Sequence, residues 1–217
     1  MARIILFGGH GRIALLTEPL LVERGDHVTA VIRNPDHAAE VAATGATPHV
    51  GDIEQLDEHQ LAELIVGHDA VVWSAGAGGG DPERTRAVDQ DAAIRTMTAA
   101  AYAGVPRFVM VSYFGASLDH GVPEDNSFFA YAQAKAAADE HLRSTELEWT
   151  VLGPGTLTHD EGTGLIDTTA RASATVSRAN VASVIAETLA DPATVRRTIR
   201  FIDGDTPIAD AISGAAT

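Results

Sequence analysis

Ile4-Ile5-Leu6-Phe7-Gly8-Gly9-His10-Gly11-Arg12-Ile13-Ala14 decides the fold of this chain. An unbroken apolar run of this kind reads as a short strand covered on both faces. The glycines end that strand and open a helix directly. A helix N-terminus carries unpaired N–H groups and a partial positive charge, so the turn is built to receive a phosphate or a diphosphate. Gly8 permits the tight turn and Gly11 lets backbone approach a ligand. Ala14 is small enough for the helix to lie close on the strand. Arg12 and Ile13, in the first helical turn, belong to the same binding segment. His10 is read as incidental to it.

Outward from this segment, short apolar runs alternate with segments of helical period, the pattern of a parallel sheet. Strands are expected at Arg3–Phe7, His27–Ile32, Thr47–Val50, Ala70–Ser74, Phe108–Ser112, Trp149–Leu152 and Thr198–Ile202. Helices are expected at Arg12–Arg24, Pro35–Thr44, Asp57–Val66, Arg84–Ala103, Phe128–Arg143 and Ala179–Leu189. In the last of these, Val181, Val184, Ile185 and Leu189 form one apolar stripe. Gly25-Asp26, Asn34-Pro35 and Gly104-Val105-Pro106 punctuate the boundaries. The expected fold is α/β: a Rossmann-like, doubly wound parallel sheet in a single domain spanning residues 1–217, with ligands at the carboxyl ends of the strands. Gly153 to Ser177 breaks the rhythm and is expected to be an irregular substrate loop.

Composition removes several alternatives. The net charge of −15, from 30 acids against 15 lysines and arginines, argues against a nucleic-acid surface. An anionic ligand would need local cations, which directs attention to Arg12 and Arg33. The chain has no cysteine, so disulfides, thiolate catalysis and zinc–thiolate sites are excluded. His159-Asp160-Glu161 are mere sequence neighbours, and the 9 histidines show no metal-binding spacing, so no metal site is expected. With neither a leader nor an apolar run of membrane-spanning length, the expectation is a cytoplasmic protein without a membrane partner. Arg196, Arg197 and Arg200 read as a solvated edge of the last strand.

The second strand ends in Arg33-Asn34. An acid there would accept hydrogen bonds from the ribose hydroxyls of NAD(H), whereas an arginine suits the 2′-phosphate of NADP(H). NADP(H) is therefore favoured over NAD(H), with Arg12 as a second cation. After the third strand, Asp52 is placed to accept from an adenine amino group and Ile53 to pack on the ring. After the fourth, Ser74-Ala75-Gly76 opens a glycine run to Gly80 that lets backbone pass close to a ribose or nicotinamide. Tyr131 and Lys135 stand at i and i+4 on an alanine-rich helix and share one face. An ammonium beside a phenol favours phenolate, so Tyr131 becomes a candidate acid or base, and Lys135 could also reach the cofactor ribose.

On these residues the chain resembles the atypical short-chain dehydrogenases/reductases, in particular the NAD(P)-binding, NmrA-like branch that includes the biliverdin and flavin reductase type. The resemblance covers nearly the whole chain. It rests on Gly8 to Ala14, Val31-Ile32-Arg33-Asn34-Pro35, Gly51-Asp52-Ile53, His68-Asp69-Ala70-Val71-Val72, Gly104-Val105-Pro106-Arg107-Phe108-Val109 and Leu152-Gly153-Pro154-Gly155. It implies NADP(H) along the strand ends and hydride transfer in members that are enzymes. It also implies a serine at the end of the fifth strand that orients a substrate carbonyl. Ser112 is the first candidate for that place, with Tyr113 and Ser117 as alternatives. Many members of the branch have lost the Tyr/Lys pair and act as sensors; this chain keeps it. The expected activity is reduction of a small carbonyl, quinone or flavin substrate. The rival from another class is a non-catalytic NADP(H) sensor with a protein partner. A sugar-nucleotide epimerase relative ranks lower, for want of a further C-terminal substrate domain. The sequence leaves substrate identity and homo-oligomer formation open.

Overall fold

A computed structural model describes residues 1–78 and 80–214 of the chain; Gly79, part of the glycine run after Ser74, lies outside them. The first strand, β1 (Arg3–Phe7), is central, flanked by β2 (His27–Ile32) and β4 (Ala70–Trp73), both parallel to it. β3 (Thr47–Val50) lies outside β2. On the other side β5 (Arg107–Val111), β6 (Glu148–Pro154) and β10 (Arg197–Asp203) follow β4, all parallel. Beyond β10, β8 (Leu165–Asp167) and β11 (Thr206–Pro207) add antiparallel pairs. The sheet therefore runs β11-β8-β10-β6-β5-β4-β1-β2-β3, the doubly wound order expected.

Side-chain alternation along β1 supplies both faces. Ile4 and Leu6 join a core with α1 (Ala14–Glu23), α2 (Ala38–Ala43), α7 (Arg178–Ala190) and α8 (Ile208–Gly214). Ile5 and Phe7 join a second core with α3 (Glu58–Ile65), α5 (Ala93–Tyr102) and α6 (Phe129–Ser144). All four side chains are fully excluded from water. At about 1.5–3 kcal/mol for each, they make β1 a principal stabilising element. Arg107 ties β5 to β6 and α7 through Glu148 O, Thr150 Oγ1 and Thr188 O at 2.7–2.9 Å.

The structure corrects the expectation in three places. Residues 153–177 are not an irregular loop. β6 continues to Pro154, β7 (Thr156–Thr158) and β9 (Thr175–Ser177) pair as a parallel ribbon, and β8 joins the main sheet. The helix expected at Arg84–Ala103 starts earlier, with α4 (Pro82–Thr85) capped by Asp81, and continues through a π-helical stretch, Arg86–Ala92, into α5. β10 is not the sheet's edge, because β8 pairs with its end at Ile202 and Asp203; Arg197 donates to Ile212 O at 2.8 Å, whereas Arg196 and Arg200 are solvated as expected.

Glu18, within α1, is fully covered, and its carboxylate accepts from Thr44 Oγ1 at 2.9 Å. Burial pushes its pKa up to about 7, with the Thr44 bond pulling the other way. A raised folded-state pKa means the native chain binds the proton more tightly than the unfolded chain. Stability from this group is therefore present below the unfolded value and lost as pH rises through the folded one. Glu18→Gln is expected to raise stability by about 1–2 kcal/mol at pH 8 and to have little effect near pH 4.5, read as paired thermal melts.

Candidate active site

At the point where the sheet's winding reverses, the chain leaves β1 toward α1 and leaves β4 toward α4, opening a crevice at the strand ends. Gly8 holds φ +85°, and a Cβ there would lie 2.7 Å from the backbone of Ala75. A Cβ on Gly9 would meet that of Ala30 at 2.7 Å. The turn is closed by Gly11 N–H to Gly8 O at 2.8 Å, and Gly9 N–H reaches Val31 O at 2.9 Å. The N–H groups of His10, Arg12 and Ile13 have no protein acceptor among the described residues. Unpaired donors at one helical turn beneath a glycine loop are what a diphosphate needs.

The crevice beside this turn has a volume of about 300 Å³. Of the expected cofactor residues, Gly8, Gly11, Arg33, Asp52, Ile53, Ser74, Ala75 and Gly76 line it. Asp52 Oδ1 accepts Glu54 N–H at 3.1 Å, so this carboxylate also shapes its own turn. Arg33, largely exposed, contacts Glu54 Oε1 at 3.2 Å, and Arg84 contacts the same oxygen at 3.2 Å. Two guanidiniums thus share one carboxylate at the β2 end of the crevice. His37 also lines it, stacked on His10 at 3.5 Å.

Two expected residues fall elsewhere. The Arg12 side chain turns out to His159 Nε2 at 3.2 Å and does not line the crevice. The Ile13 side chain points down into the core. The second cation is Arg84, which sequence reasoning missed; its placement depends on the Asp81 cap and on a hydrogen bond to Ala77 O at 2.7 Å.

The Tyr/Lys pair also differs from its expected arrangement. Lys135 is 1% exposed, and its Nζ donates to Val111 O at 2.7 Å, away from the phenol. It borders neither the crevice nor the neighbouring cavity. Its charge faces Asp89 and Asp139, both buried carboxyls pushed up by burial and pulled down chiefly by Lys135. Asp89 sits on the π-helical stretch and accepts Ala77 N–H at 3.0 Å, joining this buried group to the glycine run. π-Bulges recur where a helix must place a functional side chain. Asp139 accepts the Ser112 hydroxyl at 2.5 Å. Both acids were missed, although Tyr131, Lys135 and Asp139 at i, i+4 and i+8 mark one stripe of α6.

Lys135 therefore does not lower the Tyr131 phenol. Burial pushes that phenol well above its ordinary range, and Asp89, Asp139 and Tyr113 add to the shift. Tyr131 opens onto a cavity of about 760 Å³. Of the alternatives for the residue beside it, Ser112 is buried and engaged with Asp139. Ser117 borders a different cavity. Tyr113 is the one that shares this cavity, 5.7 Å from Tyr131 between ring centroids, with a buried hydroxyl that has no partner among the described residues. The reason is strand alternation: Phe108, Met110 and Ser112 fall on the face covered by α6, and Tyr113 lies past the strand end.

Residues 8–192 match the NAD(P)H-binding family. The chain belongs to this family. It is 32% identical to a Bacillus subtilis protein named as an uncharacterized sugar epimerase, YhfK, over 97% of this chain and 98% of that one. A Bacillus halodurans protein with a provisional NAD-dependent epimerase/dehydratase description superposes with a TM-score of 0.89 at 30% identity, covering 99% of this chain and 100% of that one. The oxidoreductase ylbE from Lactococcus lactis does so at 0.87 and 26%, covering 98% and 95%. The cofactor is thus a nicotinamide dinucleotide, and the fold is the Rossmann-like one expected. Among the described residues no helix is long and apolar enough to cross a membrane, and no group of acids and histidines could hold a metal ion.

Because one lysine faces two buried carboxyls, Lys135→Met is expected to destabilise the protein by about 3–5 kcal/mol at pH 7. The loss should shrink as pH falls and the carboxyls take up protons. It should also be partly relieved by adding Asp139→Asn; denaturant titrations of the single and double variants check both.

Proposed function

We propose that this family member is an NADP(H)-dependent reductase of a small carbonyl, quinone or flavin substrate. The observation that carries the proposal is Tyr131: a phenol kept protonated by burial and by two acids, at the wall of a cavity large enough for such a substrate. Bound dihydronicotinamide would supply the hydride. The unpaired N–H groups of residues 10, 12 and 13 hold its diphosphate, and Gly76 and Ser74 let it lie along the strand ends. Arg33 and Arg84, sharing only Glu54 between them, hold the 2′-phosphate.

In the chemical step Tyr131 gives its phenolic proton to the substrate oxygen as the adjacent carbon takes up the hydride, and solvent in the cavity returns a proton to the phenolate. Tyr113 contributes to the same cavity wall, although its hydroxyl is buried. A phenol with a raised pKa serves as an acid throughout the physiological range and as a base only under alkaline conditions. The protonated phenol is the form that carbonyl reduction requires.

One observation favours the rival, a cofactor-binding sensor without turnover: the Ser112 hydroxyl and the Lys135 ammonium are both engaged within the protein. Oxidation of NADPH in the presence of a carbonyl, quinone and flavin panel separates the two. Turnover supports the reductase, and binding of NADPH with no turnover supports the sensor.

Arg33→Asp is expected to weaken NADPH by about 10- to 100-fold while changing NADH little, measured by calorimetry. Equal losses would remove the NADP assignment. Tyr131→Phe is expected to lower kcat for carbonyl substrates by about 100- to 10,000-fold with NADPH affinity retained. Unchanged turnover would assign the proton to another donor.

A further inference from the structure

The Arg84 guanidinium serves two parts of the crevice at once. Its Nε contacts Glu54 Oε1 at 3.2 Å, the oxygen that Arg33 also contacts. Its Nη1 donates to Ala77 O at 2.7 Å. Its Nη2 has no hydrogen-bond partner among the described residues, and the side chain lines the crevice. Arg33 is different: it is largely exposed and, among the described residues, its side chain meets Glu54 alone.

Ala77 is the fixed point of the glycine run that follows β4. Its N–H donates to Asp89 Oδ2 at 3.0 Å while its carbonyl accepts from Arg84. Asp89 is buried on the π-helical stretch. Arg84 is set in place by Asp81, whose Oδ1 accepts the N–H groups of Glu83 and Arg84 at 2.9 and 3.3 Å. Beyond Ala77 packing gives no support. Gly78 and Gly80 hold φ of +81° and +89°, and a Cβ on either would meet nothing within 4 Å among the described residues. A run of this kind loses much conformational entropy when a ligand orders it. The two bonds at Ala77 therefore fix how the chain leaves Ser74-Ala75-Gly76, the part of the run that lines the crevice. One bond comes from a buried acid behind the run, the other from a cation at the crevice.

We propose that Arg84 is a positioning residue for the nicotinamide half of the dinucleotide as well as a contact for its 2′-phosphate. A phosphate taken on Nη2 leaves Nη1 on Ala77 O, so the group that reads the adenosine end also holds the run beside the ribose and nicotinamide. The phosphate contact rests on the NADP(H) reading; the anchoring of the run is separate from it. Arginine is required for both tasks together. A lysine keeps the charge but, as a compact point charge, cannot fork between Glu54, Ala77 O and a phosphate.

Two ligands divide the roles. Adenosine 2′,5′-bisphosphate carries the 2′-phosphate end without the nicotinamide half, and NADPH carries both. Their Kd values are measured by calorimetry for the unaltered protein and for Arg33→Gln, Arg84→Gln and Arg84→Lys. Arg33→Gln is expected to weaken both ligands by the same factor, about tenfold, leaving the ratio of the two Kd values unchanged. Arg84→Gln is expected to weaken the bisphosphate about tenfold and NADPH about 100-fold, so that the ratio shrinks about tenfold. Arg84→Lys should return the bisphosphate to within about threefold of the unaltered protein with the ratio still reduced. A general loss of structure would lower both ligands alike and cannot change the ratio. An unchanged ratio in either Arg84 variant, or a ratio that falls equally in Arg33→Gln, overturns the proposal. Bisphosphate affinity untouched by all three variants, with the ratio reduced only at Arg84, counts instead against the NADP(H) reading and leaves Arg84 as the anchor of the run.

Discussion

The close approach of Gly8 to Ala75 is the contact on which the rest depends. Two parallel strands whose chains depart to opposite faces must separate at their carboxyl ends, and the gap is useful only if the first turn stays tight against its neighbour. Any side chain at Gly8 would meet backbone at 2.7 Å. A positive φ there also turns the chain so that later N–H groups are left unpaired at the crevice. The buried residues Ile4 to Phe7 before it anchor this geometry from both cores. Stability and ligand binding are thus set by the same run of residues, with the apolar half serving one and the glycine half the other.

Behind the crevice, the buried Lys135 connects cofactor chemistry to the fold in a less direct way than a Tyr-x-x-x-Lys spacing implies. The lysine donates to a strand carbonyl, and its charge acts on a π-helical aspartate and on one of its own helix without an ion pair to either. Its charge keeps two carboxyls tolerable in the interior. Those carboxyls, in turn, oppose ionisation of the phenol. Burial and like charge outweigh the single ammonium, because desolvation penalises phenolate wherever the lysine points. The consequence is a phenol whose proton stays in place well beyond its ordinary range.

What was legible in the sequence follows from range. β1, its glycine turn and the helices of regular period depend on neighbours in the chain, and their positions agree with the structure to within a few residues. β8 could not be read that way. Leu165-Ile166-Asp167 is a strand only because Ile202, Asp203, Thr206 and Pro207 arrive beside it. Thr156–Thr158 and Thr175–Ser177 likewise define each other. In the site, residues whose backbone does the positioning, such as Gly8, Gly11 and Gly76, were found where expected. Residues whose role lies in the direction of a long side chain were not. Arg12 turns outward to His159, whereas Arg84 is brought to Glu54 by an aspartate cap.

The same distinction bears on how an acidic protein handles anionic ligands. Its overall field repels them, so recognition must come from cations whose neutralising partners are withheld. At the β2 end of the crevice, one carboxylate serves two guanidiniums. Along the diphosphate turn, the positive ends are backbone N–H groups that no side chain can neutralise. By contrast, Arg107 is satisfied by carbonyls and hydroxyls, and Arg143 and Arg196 by glutamates. A strongly acidic chain can thus still present positive groups at the crevice, as unpaired backbone N–H groups and as two guanidiniums on one carboxylate.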